Sequence, residues 1–222
     1  MRLVDLSHTI EPGMPLFSDS APQPRITPWM SHADSAQTGA YEGTTCELTE
    51  VAMITSAGTY MDSPYHFHPD RDTIDRLTLD QLVLPGVVVD CTNAPRAIGP
   101  DVLSGVDVAG RAVLFHTGWD RYWGEPRYHE HPYLTGGAAR ALLEGGAKLA
   151  GVDFLVIDDT SDPTRPVHVT LLGADILIVE NLTNLAALPP EGFLFHAAPA
   201  RVRGAAAFPV RAYAAITQED SP

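Results

Sequence analysis

Four short apolar runs, "GVVVDC" (86–91), "RAVLFHTG" (111–118), "GVDFLVID" (151–158) and "DILIVENL" (175–182), limit what this chain can become. Each is too continuously apolar for a strand with one wet face, so each predicts a strand covered on both sides. The segment "TGGAARALLEGGAKLAG" (135–151) reads as a helix: Thr135 suits the N-cap, alanines and leucines follow, and Gly145 and Gly146 end it. A helix between two buried strands is a βαβ unit, which makes the sheet at least partly parallel. Shorter helical turns are expected at "TLDQL" (78–82), "GPDVL" (99–103) and "VTLLGA" (169–174). The runs "RLVDLSHTI" (2–10) and "TCELTEVAMIT" (45–55) alternate loosely, as half-buried strands do, and "GFLFHAAPA" (192–200) and "PVRAYAAI" (209–216) return to strand. With no repeat or linker between these runs, residues 1–222 are expected to form one α/β domain with a mixed, partly parallel sheet. The proline-rich first 40 residues are expected to be a loop laid over the substrate region.

The 222 residues are enough for a sizeable core, and 45% apolar with 19% charged residues is ordinary globular composition. A net charge of −14, from 14 Lys and Arg against 28 Asp and Glu, argues against a nucleic-acid partner. The two cysteines, Cys46 and Cys91, form no CxxC and lie in strand-like runs, which predicts two buried thiols. With no secretory signal in "MRLVDLSHTI", they point to the reducing cytoplasm. No apolar stretch approaches the roughly 18–20 residues of a membrane span.

Chemistry concentrates in "SAGTYMDSPYHFHPD" (56–70), where Gly58 and Pro64 bend the chain around Asp62, His66 and His68. A later segment, "RPVHVTLLGADILIVENL" (165–182), adds His168 and Glu180. Imidazoles and carboxylates are the ligands that zinc and manganese take, and Glu180 ends a buried strand, where a parallel sheet opens into a crevice. A bland reading stands beside this one. A lone histidine is more often a surface or satisfied core residue, and Glu180 could pair with Arg165 or Arg211 instead. His8, His32, His129 and His131 are assigned such structural places.

Residues 56–66, "SAGTYMDSPYH", resemble the H-x-G-T-H-x-D-x-P-x-H signature of the cyclase family, which includes bacterial kynurenine formamidase and isatin hydrolase. The resemblance continues, in order, through "DLSHTIEPGMPLF", "HTGWDRYW", "GVDFLVIDD", "HVTLLGADILIVENL" and "FPVRAYA", nearly the whole chain. It implies a swivelling β/β/α fold, a homodimer or homotetramer with sites near subunit interfaces, and two zinc or manganese ions. The signature's first two histidines, its aspartate, and a later histidine and glutamate would hold those ions, with its last histidine as acid/base. Carried over, the metal residues are Asp62, His168 and Glu180, and the acid/base is His66. Phe17 stands where a substrate-stacking aromatic is found, and "DRYWGEPRYHEHPYL" (120–134) suits an interface or pocket.

The departure from the signature is specific: Ser56 and Tyr60 replace its first two histidines. Serine and a neutral tyrosine, with a pKa near ~10, are poor ligands at neutral pH, so the expectation is one divalent ion or none. His68 is not expected to compensate, because it lies two residues past the acid/base position. Two hydroxyls could instead polarise a substrate carbonyl. The leading expectation is a hydrolase of an amide or ester bond, in some substrates cyclic, in a small carbonyl compound, with His66 as general acid/base and Ser56, Tyr60 and Phe17 contacting substrate. A second is a metal-free cyclase or dehydratase using Tyr60 and His66, and a third is a non-catalytic small-molecule binding protein.

Overall fold

The computed structural model describes residues 1–216; residues 217–222, the end of the domain expected over 1–222, lie outside the described residues. In chain order the strands are β1 (Arg2–Asp5), β2 (Arg25–Met30), β3 (Leu48–Ala52), β4 (Tyr60–Asp62), β5 (Val83–Asp90), β6 (Ala97–Ile98), β7 (Ala112–His116), β8 (Tyr133–Leu134), β9 (Leu149–Val152), β10 (Leu177–Glu180), β11 (Glu191–His196), β12 (Ala207–Pro209) and β13 (Tyr213–Ile216). The helices are α1 (His32–Gln37), α2 (Leu79–Leu82), α3 (Gly136–Glu144) and α4 (Pro166–Gly173). Nine strands form one sheet in the order β1-β13-β11-β5-β7-β9-β10-β4-β12. Strands β5, β7, β9 and β10 run parallel, and antiparallel strands complete the sheet on both sides.

The apolar runs are continuous because both faces of the central strands are covered. Val113 and Phe115 of β7 pack with Leu142 of α3 and Val167, Leu171 and Leu172 of α4, while Ala112 and Leu114 face the opposite core with Phe193 and Phe195. Thr135 caps α3 by accepting from the Ala138 N–H, as its sequence position predicts. The turns expected at 78–82 and 99–103 appear as α2 and a 3₁₀ turn, Pro100–Leu103. Helix α4 starts at Pro166, three residues before the expected 169, because proline is preorganised for the first helical position.

Three expectations need correction. Of "GVDFLVID" only Gly151 and Val152 are strand, as the end of β9; from Asp153 the chain leaves the sheet while Phe154 and Ile157 still fill the core. Asp153 is the cause: its carboxylate accepts the Thr117 and Gly118 N–H groups at 2.8 and 2.7 Å, tying the segment to the end of β7. Apolar periodicity cannot separate such a buried irregular segment from a buried strand. Next, the first 40 residues are not loop throughout, since β2 pairs with β3 and α1 carries a capping box at Ser31 and Asp34. Finally, β3 is exposed along its whole length, and Cys46 lies before it, half-buried. Cys91 is buried as expected, and burial pushes its thiol up to about 12.

Candidate active site

Three strand residues share one face of the sheet because of register. Strand β4 runs antiparallel beside β10, with Tyr60 opposite Glu180 and Asp62 opposite Ile178. Residues two apart on a strand share a face, so Tyr60, Asp62 and Glu180 point the same way, and Met61 and Val179 point into the core behind. Gly58 makes the turn before β4 at φ +67, where a Cβ would stand 3.0 Å from Ile10 Cγ1.

Beyond β4 the chain turns at Pro64 into a 3₁₀ turn, Pro64–His66, which folds His66 back over Asp62 with Nε2 3.7 Å from Oδ1. His168 arrives from the first turn of α4, with Nε2 3.7 Å from Asp62 Oδ2 and 3.5 Å from Glu180 Oε1. His68 stays out of the cluster and bonds the Val169 carbonyl at 3.0 Å. It does so because the segment is a 3₁₀ turn; on a strand, where residues two apart share a face, it would have stood beside His66.

A cavity of about 360 Å³ is lined by Phe17, Ser56, Tyr60, His66, Phe67, Val156, Thr160, Arg165, His168 and Glu180. Every residue singled out from sequence for substrate contact or acid/base work therefore borders one space, with Asp62 buried behind His66 and His168. Phe17 is 55% exposed at its rim. The alternative pairing of Glu180 with an arginine is overturned, since Arg211 pairs with Asp5 at 2.6 Å and Arg165 bonds the Asp159 carbonyl. The Tyr60 hydroxyl donates to Glu180 Oε2, and the Ile157 N–H donates to Oε1 at 2.7 Å.

The electrostatics of the cluster favour a cation. Burial and the nearby Asp62 charge push Glu180 up to about 7 against the pull of His168 and Tyr60. Burial opposes protonation of His168, but its hydrogen bond to Asp158 and the charges of Glu180 and Asp62 outweigh that and raise it to about 10. Burial, then the charges of Glu180 and Asp62, hold the Tyr60 phenol well above its usual range, so it is neutral. Both oxygens of Asp62 are wholly buried without a hydrogen-bond partner. A buried carboxylate without hydrogen bonds needs a cation beside it, a place that the protonated His168 at 3.7 Å fills and that a metal ion would fill in exchange for that proton. Asp62, His66 and His168 each offer a ligand atom, all within 4.8 Å of one another. Ligands about 2.0–2.1 Å from a tetrahedral zinc stand about 3.3 Å apart, so the 3.7 Å spacings need little contraction.

Sequence reasoning missed Asp158, whose Oδ2 meets His168 Nδ1 at 2.6 Å and whose two oxygens accept the Val167 and His168 N–H groups. It caps α4 from eight residues before the helix, a distance no capping pattern covers. Arg165, considered only as a partner for Glu180, and Thr160 were missed as cavity residues; Pro166 marks the helix start and could have flagged Arg165 as its N-cap. The histidines given structural places include His8, stacked on Trp123 at 3.9 Å, and His131, stacked on Phe154 at 5.7 Å.

A family model described as "Putative cyclase" matches residues 4–159. A kynurenine formamidase of Geobacillus thermodenitrificans is 26% identical over 211 residues, covering 94% of this chain and 95% of that protein. A solved structure described as a predicted metal-dependent hydrolase from Bacillus stearothermophilus is 28% identical, with a TM-score of 0.76 over 96% of this chain and 97% of the other. Isatin hydrolase A from Ralstonia solanacearum shares the fold, with a TM-score of 0.85 at 24% identity over 97% of this chain and 92% of the other. With the family model spanning more than half its length and its sheet matched by these folds, the chain belongs to the cyclase family.

Proposed function

We propose that the protein is a metal-dependent hydrolase of an amide or ester bond in a small aromatic carbonyl compound. The observation that carries this reading is the wholly buried Asp62 carboxylate, without a hydrogen-bond partner and flanked by two imidazole nitrogens at 3.7 Å. Asp62, His168 and Glu180 would hold one zinc or manganese ion, which when bound lowers the pKa of water and polarises a carbonyl oxygen.

The chain's own residues do the rest. Asp158 holds His168 by Nδ1 and so leaves Nε2 toward the cavity. His66, with its side chain 31% exposed at the cavity, takes a proton from water and returns it to the leaving nitrogen or oxygen. Tyr60 gives its only proton to Glu180 in the resting site, so it polarises a substrate carbonyl only by leaving that carboxylate for the carbonyl oxygen. Phe17, Phe67 and Val156 give the cavity apolar walls for an aromatic ring. The sequence resemblance to the family implies a homodimer or homotetramer, and the exposed β2–β3 ribbon, with Trp29 69% exposed, is a surface suited to such contacts.

Grouping His66 with Asp62 and His168 as ligands is a second arrangement favoured by their mutual distances. The test is turnover of N-formyl arylamines, lactones and cyclic imides, with metal content measured alongside. His66→Ala is expected to keep its metal and lose about 10²–10⁴ in rate. Loss of metal in that variant would make His66 a ligand, and chelator-resistant turnover by the parent protein would overturn the metal-dependent reading.

A further inference from the structure

Arg165 has no role in the chemistry above, yet it lines the same cavity as His66, Tyr60 and Glu180. Its backbone is left-handed, φ 46 and ψ 57, a conformation that a non-glycine residue adopts only under strain. The residue before a proline is already kept out of the right-handed helical region, and an N-cap is ordinarily Ser, Thr, Asp or Asn. The capping task here belongs to Asp158, which accepts the Val167 and His168 N–H groups. Helix formation therefore does not call for an arginine at this position.

Its charge is also unspent. Arg25, Arg71, Arg76, Arg111 and Arg211 pair with carboxylates, whereas Arg165 has no ion pair among the described residues. One Nη1 donor is tethered to the Asp159 carbonyl at 2.9 Å, beside Thr160, which borders the cavity too. A guanidinium has five donors, so most remain for a ligand, in the planar fork that matches a carboxylate. It is the one Lys or Arg among the lining residues, in a chain of net charge −14. With His168 and any bound ion committed to Asp62 and Glu180, Arg165 is the fixed cation left in the cavity to receive a substrate anion.

Building on the hydrolase reading, we infer that Arg165 is a specificity-determining residue that binds a carboxylate on the substrate, away from the bond that is broken. The substrate class is thereby narrowed to aromatic amides or esters carrying an acid group, of a size that about 360 Å³ admits.

The test separates binding from turnover. Calorimetric titration of the purified protein with benzoate and with benzamide is repeated on R165K, on R165N, whose side chain tolerates the left-handed backbone, and after chelation. The expected result is benzoate binding that R165N weakens about 10- to 100-fold, R165K weakens less, and chelation leaves in place, with benzamide indifferent to all three. Benzoate affinity unchanged in R165N, or lost on chelation alone, would overturn the inference by assigning the anion to the metal cluster. A fall in melting temperature without a change in benzoate affinity would overturn it equally, by making Arg165 structural. Kinetics with formanilide and 4-formamidobenzoate then address turnover. If neither is hydrolysed while benzoate binding still depends on Arg165, the hydrolase reading fails and the anion site stands; equal kcat/KM for both in parent and R165N sinks the anion site alone.

Discussion

His168 Nδ1 lies 2.6 Å from Asp158 Oδ2, and the same carboxylate holds the first N–H groups of the helix that carries His168. One side chain thus sets the position of the imidazole and also the nitrogen it presents to Asp62. Replacing it as Asp158→Asn keeps an acceptor for the helix but gives Nδ1 an amide that can also act as donor. Zinc affinity, measured by competition with a chromogenic chelator, should fall about 10- to 100-fold, with little change in melting temperature. An unchanged affinity would show that His168 needs no orienting partner.

Metal stoichiometry follows from the two replaced histidines. The purified protein should carry at most one divalent ion per chain by elemental analysis, because neither Ser56 nor Tyr60 offers an imidazole. The double variant Ser56→His with Tyr60→His should bind more. Two equivalents in the parent chain would contradict the reading, and no gain in the variant would mean that the cavity has closed around the tyrosine.

The Tyr60–Glu180 pair separates hydroxyl chemistry from space filling. If the phenol polarises the carbonyl, Tyr60→Phe should reduce kcat by about 10²–10³ while leaving the ring in place. The variant also removes a donor from Glu180, so in the chelated, metal-free protein its carboxyl should titrate higher than about 7. Full activity in Tyr60→Phe beside an inactive Asp62→Asn would assign catalysis to the metal cluster alone.

Acid stability should depend on His131. Burial lowers it from 6.5 to about 4, so the folded state binds fewer protons than the unfolded state between those values. Its contribution is complete above pH 6.5 and is lost as pH falls toward 4, on the order of 3 kcal/mol over the interval. Asp153, raised to about 7 by burial, acts with the opposite sign, losing stability as pH rises from 3.8 toward 7. Denaturant unfolding of the parent chain and His131→Gln at several pH values isolates the histidine by difference. Parallel curves would contradict the assignment.

Much of this was legible in the sequence. The apolar runs announced a doubly covered sheet, Thr135 announced α3, and the resemblance to the family's signature located the residues of the cavity. What escaped depends on partners distant in the chain. "GVDFLVID" looks like a strand until Asp153 is seen binding the end of β7, and Asp158 is one acid among 28 until α4 folds onto it. His68 is kept out of the site by the 3₁₀ turn at Pro64–His66, since a strand would have set it on the same face as His66.

Strand β4 is three residues long, and its fully buried Met61 anchors it from the side opposite the cavity. Were it to slip by one position against β10, a thioether would meet Glu180 while a phenol and a carboxylate entered an apolar layer. The misfolding error that would erase the site is thus also one of the most costly the sheet can make. Methionine 61, which touches no reacting atom, works as an error check on the chemistry in front of it.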